Sequence, residues 1–114
     1  MRKNQLILKH GKGVNGVVYP KKAIDEMKLP AEPIPVMYKD EPIGSSNNFI
    51  VKRHNLYCDI NLQKDLKGLG IASGMRVGNV RQTKKGVVAE DLELIEVSLV
   101  PDFCTDYKLE QEVG

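Results

Sequence analysis

Leu56-Tyr57-Cys58-Asp59-Ile60-Asn61-Leu62-Gln63 is the stretch that decides the fold. Leu56, Cys58, Ile60 and Leu62 alternate with Tyr57, Asp59, Asn61 and Gln63. Successive side chains of a strand point to opposite faces, so a period of two sets one apolar face against a core and one polar face outward. Cys58 falls on the apolar face and reads as a buried residue.

Working toward the C-terminus, residues 64–68 form a short polar connection. Residues 70–80 are Gly-rich but carry Ile71, Met75, Val77 and Val80, which reads as an extended, twisted or bulged strand. Residues 82–86 are a hairpin turn. Residues 87–100 fit two periods: Leu92, Ile95 and Leu99 match a helix, while Ile95, Val97 and Leu99 match a strand. The closing Val97-Ser98-Leu99-Val100-Pro101 favours the strand, with a bulge at Leu94-Ile95 where the apolar parity changes.

Working toward the N-terminus, residues 34–38 and 49–52 read as strands. Gly44-Ser45-Ser46-Asn47-Asn48 has the composition of a turn between them. Pro30, Pro33 and Pro35 mark an extended linker. Ala23, Ile24 and Met27 share one face of a helix over residues 20–28, with Pro20 suited to its first position. Residues 17–19 are extended, residues 11–16 are turn material and residues 5–9 are a first strand. The sum is one domain over residues 1–114, with residues 1–4 and 107–114 frayed. It is mainly β, a β-barrel or curled antiparallel sheet with one or two short helices. The expected core includes Leu56, Cys58, Ile60, Val97 and Leu99.

Composition narrows the function. The chain has 114 residues, 41% hydrophobic and 28% charged, with no Trp and a net charge of +2. That balance does not imply nucleic acid. Basic clusters at Lys52-Arg53-His54 and at Arg76, Arg81, Lys84 and Lys85 lack the interleaved aromatics of single-strand binders. Cys58 and Cys104 fit no metal-ligand spacing, and no metal or other cofactor is expected. No apolar run is long enough to span a membrane, and Leu6-Ile7-Leu8 is too short for the centre of a signal peptide.

Gly11-x-Gly13-x-x-Gly16 has the letters of a dinucleotide-binding loop. The extended Val17-Val18-Tyr19-Pro20 follows it, where that mechanism needs a helix N-terminus. A nucleophilic serine needs a base within hydrogen-bond reach and a group that orients the base. The candidate serines are Ser45, Ser46, Ser73 and Ser98, and the only histidines are His10 and His54. Ser73 lies between Ala72 and Gly74, where small neighbours leave room for a substrate backbone. Glu90, Asp91, Glu93 and Glu96 are the acids available to orient a histidine. The plain alternatives are a packed strand serine, turn histidines and a charged outer face.

Several motifs, in chain order, resemble the prohead proteases of tailed bacteriophages. Asn15-Gly16-Val17-Val18-Tyr19-Pro20-Lys21 resembles the family's Asn-Gly-Arg-x-Tyr-Pro motif. Ile34-Pro35-Val36 with Pro42-Ile43-Gly44 resembles the segment that encloses its active-site histidine. Residues 70–77 resemble its Gly-rich serine strand, and residues 94–101 its Leu-x-Glu-Val-Ser-Leu-Val strand. The matches span residues 14–102. The resemblance implies an assemblin-like β-barrel core. The family's histidine position falls in Met37-Tyr38-Lys39-Asp40, which holds no histidine, and the serine position falls on Ala72 or Ser73 depending on the register.

The expectation is therefore a non-catalytic virion or capsid-assembly protein, in the virion or the host cytoplasm. It would bind capsid or prohead proteins and form homo-oligomers through Ile34, Val36, Met37, Tyr38 and Ile43. The alternative is an active serine peptidase that uses Ser73, His54 and Glu96.

Overall fold

A computed structural model describes residues 1–13 and 15–110. The strands are β1 (Arg2–Leu8), β2 (Gly11–Lys12), β3 (Val17–Tyr19), β4 (Ile34–Tyr38), β5 (Glu41–Lys52), β6 (Asn55–Leu62), β7 (Leu69–Thr83) and β8 (Gly86–Pro101). Helix α1 spans Lys21–Asp25, and a 3-10 turn spans Asp102–Cys104. The architecture is mainly β, as the alternating pattern implies: one curled sheet forming a half-barrel. Its order is β1-β6-β5-β4-β8-β3-β2, and β7 pairs with β8.

Strand β6 is the period-two segment, and it lies between β1 and β5. Leu56, Cys58, Ile60, Val97 and Leu99 are all buried, in a core shared with Ile7, Ile24, Val36, Ile71 and Leu92. Burial pushes the Cys58 thiol up to about 12, with the neighbouring Asp59 charge adding to the effect. β8 is long enough to serve several partners. β7 runs antiparallel along one side of it, while β3 and β4 pair parallel with its two halves on the other. The expected bulge is present. Gly74 faces Glu96 and Met75 faces Leu94, which leaves Ile95 as the extra residue.

Four expectations are corrected. Residues 44–48 are strand, not turn: β5 runs through them, Ser46 is fully buried and its hydroxyl donates to the Ile34 carbonyl. The chain reverses instead at Lys39-Asp40, where both residues have positive φ. The helix ends early because Lys28 is drawn to the sheet: its N–H donates to Leu92 O at 2.9 Å, and its carbonyl accepts from Leu94 N–H at 3.0 Å. Ala23, Ile24 and Met27 are nonetheless buried together. Residues 2–4 are not frayed. Arg2 pairs with Ile60, is 5% exposed, and donates to Glu110 O and Asp65. Residues 107–110 are also tied down. The N–H of Ile71 donates to Tyr107 O, the N–H of Leu109 to Leu69 O, and the N–H of Glu110 to the Gln5 side chain. This tail bridges β7 to β1 across the open side of the half-barrel. Residues 111–114 lie outside the described residues.

Asp59 fastens β6 to both neighbours. It is 9% exposed, accepts from the Asn4 N–H at 2.9 Å, and accepts from the Asn48 amide at 2.8 Å. Asn4 and Asn48 both have positive φ and sit at the irregularities in β1 and β5. Asparagine tolerates that conformation better than most residues. The Asn48 and Asn4 hydrogen bonds hold the Asp59 carboxyl below its ordinary 3.8, against the opposing effect of burial. A depressed folded value means that the ionised group stabilises the fold above pH 3.8 and that this contribution vanishes as pH falls through the folded value. Asp59→Asn should therefore be less stable than wild type in urea at neutral pH. The gap should close as the pH is lowered below 3.8.

Candidate functional site

The serine constellation is not assembled. Ser73 lies on β7 and its hydroxyl donates to the Ile7 carbonyl at 2.9 Å, linking β7 to β1. No imidazole reaches it. His54 sits in the β5–β6 turn and is held by Asp25 of α1, with Nδ1 to Oδ2 at 2.8 Å. Glu96 accepts from the Ser98 hydroxyl at 2.9 Å. Each of the three residues thus has a structural partner that is not one of the others. Ser45 and Ser46 lie on β5 beside β4 and β6.

Ser73 does line a cavity of about 110 Å³, with Ile7, Leu8, Tyr19, Met75 and Cys104 among its walls. That is well below the ~300–1,000 Å³ of ordinary ligand pockets. Among the described residues no buried side-chain polar atom lacks a hydrogen-bond partner. No group of three or more His, Cys, Asp and Glu side chains is arranged for a metal among them. No helix is long and apolar enough to cross a membrane.

The expected binding surface also needs correction. Ile34, Val36, Met37 and Tyr38 make up most of β4, a strand inside the sheet with β5 on one side and β8 on the other. Val36 is fully buried and Ile43 is 8% exposed; both belong to the core. Ile34, Met37 and Tyr38 are only half-buried. The apolar character of this segment reflects core packing, so charges at Val36 or Ile43 would disrupt the fold itself.

The free surface lies at the other end of the sheet. The tail at residues 107–109 covers the outer edge of β7 around Leu69–Ile71. Beyond it, residues 76–82 (Arg-Val-Gly-Asn-Val-Arg-Gln) are exposed without exception. β8 takes up one edge of this segment, and among the described residues no strand pairs with the other. Val77 and Val80 are among the few exposed large apolar residues, Val80 at 61%. Arg76 pairs with Glu93 and Arg81 with Glu90, both across to β8. The arginines are thus matched within their own hairpin rather than set to repel an incoming strand. An exposed edge is a template for strand addition, which proteins usually block with lysines, prolines or bulges. Residues 76–82 contain no lysine or proline. In the sequence, polar and apolar residues do not alternate along this segment, which fits a strand with no buried face but does not show which edge is free.

No family model, curated protein or solved structure matches this chain.

Proposed function

We propose that this chain is a non-catalytic virion or capsid-assembly domain of a tailed bacteriophage. It acts by strand addition at the free edge of β7, joining a second copy of itself and capsid-type protein. The observation that carries the binding mode is residues 76–82: extended, exposed on both faces and unpaired along one edge. The phage assignment rests on the ordered motifs that resemble the prohead proteases. The non-catalytic reading is supported by Ser73, whose hydroxyl is committed to the Ile7 carbonyl with no base beside it.

Self-pairing is sterically and electrostatically sensible. Two copies of β7 related by a two-fold axis perpendicular to the sheet set residues of like parity opposite each other. A register centred on Asn79 places Gly78 against Val80 and Arg76 against Gln82, with no arginine facing another. The same edge offers backbone N–H and C=O groups to any extended segment of a capsid protein.

The non-catalytic half is tested with a serine-directed fluorophosphonate. The purified protein should remain unlabelled. Labelling that disappears in Ser73→Ala would establish a working nucleophile and defeat this reading.

A further inference from the structure

Residues 105–110 sit on the sheet as an added strand. Thr105, Tyr107 and Leu109 are half-buried, and Asp106, Lys108 and Glu110 alternate with them and are exposed. Tyr107 and Leu109 pack against the core. Lys108 lies opposite Gly70 in an antiparallel bridge. The edge groups of β7 are taken up here. Ile71 donates its N–H to Tyr107 O at 2.7 Å and accepts the Thr105 hydroxyl at 2.6 Å, and Leu69 O accepts the Leu109 N–H at 3.0 Å. On the opposite side the tail meets β1 and the residue after it. The Tyr107 hydroxyl accepts the Lys9 N–H at 2.8 Å, the Glu110 N–H donates to Gln5 Oε1 at 3.0 Å, and Glu110 O accepts from Arg2 Nε at 3.0 Å.

Gly70 shapes this groove to its occupant. A β-carbon there would overlap the Thr105 side chain and stand 3.0 Å from Tyr107 O and 3.3 Å from Asp102 Cα. All three obstacles belong to the tail or to the turn that leads into it, so a missing side chain at position 70 lets the tail sit this close. The seat is nonetheless lightly packed. Cavities of about 110, 230 and 420 Å³ each have Asp106 and Tyr107 in their walls. The connection from β8, Pro101-Asp102-Phe103-Cys104, is exposed throughout, with Phe103 at 80%.

A segment held mainly through its backbone, with few buried apolar contacts, opens at low cost. Exchanged between identical chains, it regains in the second copy the contacts it leaves in the first. We propose that residues 105–110 are an exchangeable strand: the tail of one chain occupies the β1–β7 groove of a second copy, pivoting on residues 101–104. The occupant is the one segment whose fit to this groove is seen. The proposal goes beyond edge pairing at residues 76–82, and neither depends on the other.

A chain's own tail competes at high effective concentration, so exchange is read with that competitor removed. Two full-length variants do this. Tyr107→Asp impairs the tail and leaves the groove intact; Gly70→Val blocks the groove and leaves the tail intact. Alone, each should lose amide protection at Ile71 while amides of β6 and β8 stay protected; Leu109→Asp is added to the first if its tail remains seated. Mixed, with only the Tyr107→Asp chain isotopically labelled, the two should form a heterodimer in sedimentation, and the labelled Ile71 amide should regain protection. Monomers with Ile71 unprotected would overturn the proposal. So would a heterodimer that protects residues 76–82 in place of Ile71, which is edge pairing alone. Should either variant fail to fold, half-labelled wild-type protein decides. Isotope-filtered NOEs should join Tyr107 of one copy to Lys9 of the other, and their absence at every concentration would overturn tail exchange.

Discussion

Ile60→Ala should destabilise the domain by roughly 2–5 kcal/mol, the range for a large-to-small change in a packed core. Ile60 is fully buried on β6 and is flanked by Arg2 of β1 and Ser46 of β5. The lost methyl groups leave a cavity between strands that are tied on both sides by the Asp59 hydrogen bonds, so collapse around it is resisted. Urea denaturation measures the effect directly. A loss well under about 1 kcal/mol would place Ile60 outside the core.

Gly44→Ala should rank next, although it adds a single carbon. Gly44 pairs with Leu62 and also with Val36, deep inside the sheet. A β-carbon at position 44 would overlap the Asn61 backbone carbonyl and approach the Leu62 Cα at 3.0 Å. Both obstacles are backbone, which cannot swing aside as a side chain would. Relief requires β5 to move away from β6, at about 1–3 kcal/mol or more. Equilibrium denaturation of Gly44→Ala against wild type measures it, and a variant as stable as wild type would show that the strands are not packed this closely.

Gly44 also explains where sequence reading failed. Gly-Ser-Ser-Asn-Asn has the composition of a turn, yet each residue has a strand role. Gly44 permits close approach, Ser46 is buried against Ile34, and Asn48 takes the positive φ at a bulge and binds Asp59. The real turns, Lys39-Asp40 and Arg53-His54, adopt positive φ at both positions without the Asn-Gly or Asp-Gly pairs that usually announce it. Local composition misleads at residues 39–40 and 44–48 because tertiary contacts decide the conformation, whereas the turn at Arg53-His54 is where the flanking strands imply it. Where burial imposes a period, sequence pattern and structure agree. The alternation at residues 56–62 located β6 and its core face, and the parity break at Leu94-Ile95 located the bulge in β8.

The strip at residues 34–43 misleads about burial for a related reason. Apolar residues beside prolines at residues 34–43 look like an uncovered strip when the partner strands are unknown. β8 lies far away in sequence, and it is β8 that covers Val36. The free edge of β7 carries few apolar residues, and its availability is a property of topology: which strand has no neighbour.

Strand addition at β7 is tested most directly by amide hydrogen exchange at rising protein concentration, with sedimentation equilibrium on the same samples. The predicted result is a concentration-dependent dimer in which amides of residues 76–82 gain protection while those of β4 and β6 stay unchanged. Val77→Lys and Val80→Lys, both at exposed positions, should keep the monomer fold and lose the dimer. A chain that stays monomeric at every concentration, with residues 76–82 exchanging at one constant rate, would contradict self-pairing through this edge.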